Sequence, residues 1–218
     1  MYNELISRIL TSIILLPVLM YSSYYSGYYF ILFLCFVYVL SFYEIIKNTK
    51  NVIFNLNANI VVILSLYFFY DLRGSSDYSL VTIYWILSAT FLSDIGGYVF
   101  GKIFKGKKIT KISPSKTYSG SIGSIILSLT SLAFLNLLQT FFLNENLINF
   151  YQTKYLILTI LISIVCQCGD LYISYWKRKF NIKNISNILP GHGGVLDRID
   201  GLIFVLIFAF IIKMVGVI

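Results

Sequence analysis

The chain has 218 residues, 58% of them hydrophobic and only 12% charged. A water-soluble domain of this length is nearer half apolar and a quarter charged, so the composition argues against a soluble globular fold and makes lipid the natural solvent. The net charge of +8 is distributed between apolar runs, which fits membrane topology and not a nucleic-acid-binding surface.

In chain order, apolar runs of spanning length lie near residues 6–25, 28–46, 56–70, 79–97, 121–143, 155–173 and 201–218. The third is short and the fourth carries polar residues near its end, so about seven spans are predicted, with six to eight compatible. Arg8 precedes the first run, but no small-x-small cleavage pattern follows Met20, which predicts an uncleaved first span. Open strands cannot satisfy their backbone groups in lipid. The expected fold is therefore an all-α, polytopic transmembrane helical bundle forming one integral-membrane domain over 1–218. Its N-terminal spans fill 1–78, and the catalytic spans and loops fill 79–218. Cys35, Cys166 and Cys168 all fall in apolar stretches and are expected to be plain thiols acting as small core residues.

Charge orients the spans. With the N-terminus in the cytoplasm, fourteen Lys and Arg residues fall inside and only Arg73, Lys154 and Lys213 outside, as the positive-inside rule demands. This orientation places the two polar loops, 98–120 and 174–200, on one cytoplasmic face.

Glu4, Glu44, Asp71, Asp77 and Glu145 lie near span ends or in short loops and are expected to be solvated interfacial charges. Asp94, Asp170, Asp197 and Asp200 differ, because each borders or enters an apolar run beside one of the two loops, where a charge is costly and usually has a task. Asp170, Ser174 and Lys177 or Arg178 are spaced to share one helix face. Alone, that stripe fits either a site or a helix end resting at the interface. In the segment from Pro190 to Gly201, the glycines free the backbone for tight bending, and their amides are expected to form an anion-binding nest. Asp197 and Asp200 follow, three residues apart, a spacing and chemistry suited to Mg²⁺ alongside substrate phosphates. His192 and Arg198 supply phosphate donors. In the other loop, six lysines lie within 15 residues, either as topology signal or as a contact for anionic headgroups. The Ser113-Pro114-Ser115-Lys116-Thr117 element adds hydroxyls and a lysine for phosphate oxygens.

At these residues the chain resembles the phosphatidate cytidylyltransferases, or CDP-diacylglycerol synthases. Ser174, Lys177, Arg178, Lys183, Pro190, Gly191, His192, Gly193, Gly194, Asp197, Arg198 and Asp200 match the family's 27-residue C-terminal signature at its spacing. Upstream, Asp94, Tyr98, Gly101, Ser113, Pro114, Lys116, Thr117 and Gly120 match as well. The departures are Asn184 for the usual Asp, Trp176 for an aliphatic residue or Phe, Ser119 for Glu or Gln, and Ser115 for a frequent Lys.

The resemblance implies an enzyme that converts CTP and phosphatidate into CDP-diacylglycerol and pyrophosphate. It assigns Mg²⁺ to Asp197 and Asp200 with Asp170 as a further ligand, and leaves room for a second ion such as K⁺. Lys177, Arg178, His192 and Arg198 would neutralise phosphates. Ser174, Lys116 and Thr117 would contact substrate phosphates, and Asp94, Ser113, Lys183, Gly193 and Gly194 would complete the substrate site. The expected partners are these two substrates and membrane lipid, with no nucleic acid; a homodimer is left open. The expected location is the bacterial inner membrane, with the site at the cytoplasmic face. Two rivals are a different CTP-dependent lipid transferase or kinase, and a cation transporter. The transporter predicts inverted repeats, and the sequence contains none that we could find.

Overall fold

The computed structural model describes residues 2–110, 113–114, 116–142, 147–182, 185–186, 188–189 and 193–218, with side chains from Ile13 onward and without that of Phe142. Among the described residues seven helices follow in order: α1 Tyr2–Tyr25, α2 Gly27–Asn48, α3 Val52–Arg73, α4 Asp77–Phe104, α5 Tyr118–Phe142, α6 Thr153–Lys179 and α7 Leu196–Met214. Each predicted span has its own helix, and the third is longer than its apolar run because Asn51 caps it early, its side chain accepting from Phe54 N. Helices α2 to α6 are long and apolar enough to cross a membrane. Even the 22 residues of α2 or α3 reach about 33 Å at ~1.5 Å per residue, the thickness of the hydrocarbon layer. The described apolar part of α1, Ile13–Tyr25, is shorter. Helix α7 has 19 residues and opens on Asp197, Arg198 and Asp200.

Helix α4 is the centre of the bundle. Its Ile83, Trp85, Ile86, Leu87 and Ala89 are almost completely buried. Polar pairs tie it to α6: Trp85 Nε1 donates to Thr159 Oγ1 at 3.0 Å, and the Ser93 and Ser163 hydroxyls lie 2.8 Å apart. Such pairs join helices that have no hydrophobic drive to associate in lipid. Against α5 the two backbones touch. A Cβ at Gly96 would fall 2.4 Å from the Gly123 carbonyl oxygen, and one at Gly123 would fall 2.3 Å from the Phe100 side chain. Gly123→Leu should therefore force α4 and α5 apart and cost ~1–3 kcal/mol, as overpacking does. A lowered melting temperature in detergent is the expected reading, and an unchanged one would show that the contact yields freely.

Long apolar side chains such as Leu32, Phe36, Val39, Ile53 and Leu56 are exposed, as lipid-facing positions require. At one end of the bundle, Arg73 donates to the carbonyls of Ser23 and Tyr24, Lys213 pairs with Asp71 at 2.6 Å, and Tyr78 meets Tyr155. The α2–α3, α4–α5 and α6–α7 connections gather at the opposite end, linked by Asn48 to Ile185 and by Lys116 to Asp170. The two polar loops thus share one end, as the charge pattern predicts.

Candidate active site

The α4–α5 loop folds back on itself as a narrow hairpin. Ile109 N donates to Lys116 O, and Tyr118 N to Lys107 O. Pro114 sits in a turn closed by Lys116 N donating to Ser113 O at 3.1 Å, a position that suits its fixed φ. Thr117 caps α5, its hydroxyl accepting from Gly120 N at 3.1 Å, the usual service of a threonine at a helix start. Ser119, one of the departures from the family pattern, meets the Lys105 carbonyl and closes the hairpin base.

This hairpin aims Lys116 at α6, where its Nζ lies 3.0 Å from Asp170 Oδ2. The other oxygen, Asp170 Oδ1, is buried and accepts no hydrogen bond among the described residues. Around it lie Asp94 of α4, Cys166 of α6 and Asp200 of α7. One ligand atom each from Asp94, Cys166 and Asp170 fall within 4.8 Å of one another. The Cys166 thiol donates to Asp94 Oδ1 at 3.3 Å. Asp200 is the immediate carboxyl neighbour of Asp170, and its Oδ1 accepts from Gly201 N at 3.0 Å. Gly169 and Gly201 permit this approach of α6 and α7; a Cβ on Gly201 would lie 2.8 Å from Asp170 Oδ1. Three carboxyl groups from three helices repel one another when ionised. With an orphaned buried oxygen among them, they suit a hard divalent cation that seeks oxygen ligands.

Asp197 has a different surrounding. Its Oδ1 pairs with Lys177 Nζ at 2.8 Å, and its Oδ2 accepts from Ile185 N at 2.9 Å and Gly194 N at 3.1 Å. The structure therefore groups Asp200 with Asp170, and Asp197 with Lys177, although Asp197 and Asp200 share the first turns of α7. Asp170 and Lys177, spaced to share one helix face, each bind another element. Each bridges two elements: Lys177 joins α6 to α7, and Asp170 joins α6 to the hairpin.

The glycine segment also differs from the expected open nest. Leu189 and Gly193 exchange both backbone hydrogen bonds, at 2.9 and 3.1 Å. Gly193 has φ +88°, a conformation natural to glycine. The amides of Gly194, Val195 and Leu196 are taken by the protein's own carboxylates, Asp197 for the first and Glu44 for the other two. Phosphate contacts from Gly193 and Gly194 would require these bonds to exchange.

Ser174 lies half-buried one turn beyond Asp170, and Ser113 is buried in the hairpin. Arg178 and Arg198 are exposed on α6 and α7. His192 and Lys183, with Asn184, Pro190 and Gly191, lie outside the described residues. Trp176, another departure, is buried and stacks on Phe54 at 4.9 Å and 12°, which fixes the end of α6 against α3.

One residue escaped the sequence reading. Glu44 is not a solvated interfacial charge: it is 0% exposed and bound to the segment before α7. Its only signal in the sequence is a lone acid inside the last turns of an apolar run. Asp71 is likewise engaged, by Lys213, while Asp77 stands exposed as expected. Glu4 and Glu145 lie outside the described side chains. All three cysteines are free, as expected, but only Cys166 is a core residue; Cys35 and Cys168 are exposed on the outer faces of α2 and α6.

The sequence model of the Cytidylyltransferase family matches residues 50–215. A phosphatidate cytidylyltransferase of Rickettsia conorii is 32% identical over 94% of this chain and 90% of its own length. One from Rickettsia bellii is 31% identical over 92% and 87%. One from Bacillus subtilis is 32% identical over 79% of this chain and 63% of its own length.

Proposed function

The chain belongs to the cytidylyltransferase family, and from that premise we propose that it condenses CTP with phosphatidate to give CDP-diacylglycerol and pyrophosphate. What supports this reading is one arrangement: Asp94, Asp170 and Asp200 converge from three helices beside Lys116 and Lys177, inside the matched stretch. A phosphatidate phosphate oxygen attacks the α-phosphorus of CTP; that P–O bond forms, the bond from the α-phosphorus to the bridging oxygen breaks, and pyrophosphate leaves. The nucleophile is already an anion, so no strong general base is needed. The difficulty is bringing two polyanions together, which makes positioning and charge neutralisation the main tasks.

Asp170 and Asp200 are the carboxylates we assign to Mg²⁺, with Asp94 at the rim of the same basin. The ion would supply positive charge against the CTP phosphates and the departing pyrophosphate. Asp197 was paired with Asp200 in the sequence reading. Here it holds Lys177 and the glycine segment, and it would join the ion's ligands where the Lys177 pair is exchanged. Lys116 and Lys177 each carry a carboxylate partner that substrate phosphates can replace. Arg178, Arg198 and His192 are the further cations for phosphate, with Lys183 beside them. Ser113, Thr117 and Ser174 are hydroxyls for substrate contact. CTP arrives from water and phosphatidate sideways from the bilayer, so this end of the bundle belongs at the cytoplasmic face of the bacterial inner membrane.

Two measurements check the reading. Cysteines introduced at Lys107 and Lys179, with the native three removed, should resist a membrane-impermeant thiol reagent in intact cells and react in inverted vesicles; labelling from outside would reverse the topology. A panel of acceptors separates the rival transferases. Phosphatidate should be used far better than diacylglycerol or a polyprenol, and preference for an alcohol would favour a lipid kinase.

A further inference from the structure

The last turns of α2 grip the segment that leads into α7, although α2 lies outside both the recognised motifs and the stretch matched by the family. Glu44 Oε1 accepts from Val195 N at 2.8 Å and from Ser186 Oγ at 2.5 Å, and Oε2 accepts from Leu196 N at 2.9 Å. One turn later, Asn48 Nδ2 donates to Ile185 O at 2.7 Å. Ile185 and Ser186 on one side, and Val195 and Leu196 on the other, are thus bound to one helix face. The glycine at 194 belongs to this arrangement, because a Cβ there would lie 2.8 and 2.9 Å from the two Glu44 oxygens.

A carboxylate at a helix start answers two needs, the unpaired first amides and the positive end of the helix dipole. Packing does not require it, since α2 is already held by buried Phe30, Leu34 and Ile45. Burying an acid is costly in a membrane protein and points to a task. The neighbouring amides divide between two acids: Gly194 N binds Asp197, while Val195 N and Leu196 N bind Glu44. A shift of this turn therefore moves Asp197, and with it Lys177.

We infer that Glu44 is a positioning residue for the reaction: it fixes Ser186 and the 194–196 turn so that Asp197 and Lys177 stand in register with the carboxyl basin. The inference rests on the proposed function for its catalytic consequence, but its structural half can be read without turnover. A cysteine placed at Ile188 should react with a water-soluble maleimide at least ~5-fold faster when Glu44→Gln is added, while one at Lys107 in the other loop keeps its rate, because openings of separate structural units are independent. In the assay, Glu44→Gln should lower kcat/KM at least ~10-fold, and adding Ser186→Ala should change it by less than ~2-fold more, since residues in one contact are not additive. Equal acceleration at both cysteines, or unchanged labelling at position 188, overturns the inference, as does multiplication of the two losses. If Glu44→Gln fails to insert, Ser186→Ala alone should speed labelling at position 188 and not at 107; no change there also overturns it. If wild type makes no CDP-diacylglycerol, the proposed function fails, and the labelling still decides whether Glu44 holds the segment.

Discussion

Asp170→Asn and Asp200→Asn should each lower CDP-diacylglycerol synthesis by at least about two orders of magnitude, a loss of ~3 kcal/mol of transition-state stabilisation. Asparagine keeps the size and one oxygen but not the charge that holds a hard cation. The two variants should differ in stability. Asp170 has Lys116 at 3.0 Å, so its neutralisation leaves a lysine without its partner and should lower the melting temperature. Asp200 faces the Asp170 carboxyl group, so its neutralisation removes a repulsion, and the metal-free protein should melt at the same temperature or higher. Loss of activity without loss of stability is the mark of a functional acid whose charge strains the fold. Asp77→Asn, exposed at the other end of α4, should change neither. If Asp170→Asn and Asp200→Asn both kept activity within about threefold, the cation site would have to lie elsewhere.

Asp197→Ala should be the most damaging single change in the glycine segment. It removes the acceptor for Lys177 Nζ, Ile185 N and Gly194 N together. The Lys177 and Asp197 side chains are only 14% and 9% exposed, and breaking a buried ion pair by deleting one partner typically costs ~3–5 kcal/mol. Activity should fall at least ~100-fold, with a clear drop in melting temperature. Asp197→Asn separates the two contributions: its carboxamide oxygen can still accept from the Ile185 and Gly194 amides, but Lys177 loses its counter-charge, so the melting temperature should fall less than in the Ala variant while activity is lost with the charge. Equal melting of the Ala variant and wild type would show that the segment is held without Asp197.

Much of the fold was legible because lipid allows few solutions. Spans of apolar residues in a bilayer must be helices, and all seven appear where the runs lie. The shared end of the two loops followed from the lysines and arginines, because topology is written in loop charge. The acids of the candidate site were visible through their cost: Asp94, Asp170, Asp197 and Asp200 border or enter apolar runs, and all but Asp197 meet in space. Their pairing was not visible. Three-residue spacing put Asp197 and Asp200 near each other on α7, but a helix turn of 100° per residue, acting with the position of α6, sends one to Lys177 and the other to Asp170. Glu44 was missed for a related reason. Its partners are 142 to 152 residues away, and nothing local separates an acid at a span end from one folded under a distant loop. Trp176 reads in sequence as a departure from a pattern; Phe54 and Phe180, which pack on the ring from a distant helix and from the end of its own, explain it.

Nucleotidyl transfer is most directly tested by following the phosphorus atoms of CTP. Purified protein is incubated with phosphatidate and Mg²⁺, once with CTP labelled at the α-phosphorus and once at the γ-phosphorus. The expected result is α-label in a lipid that runs as CDP-diacylglycerol, γ-label released into water as pyrophosphate, and neither when Mg²⁺ is withheld. Label from the γ-position in lipid, or no α-label in lipid with the protein folded and phosphatidate in excess, would contradict the proposed function.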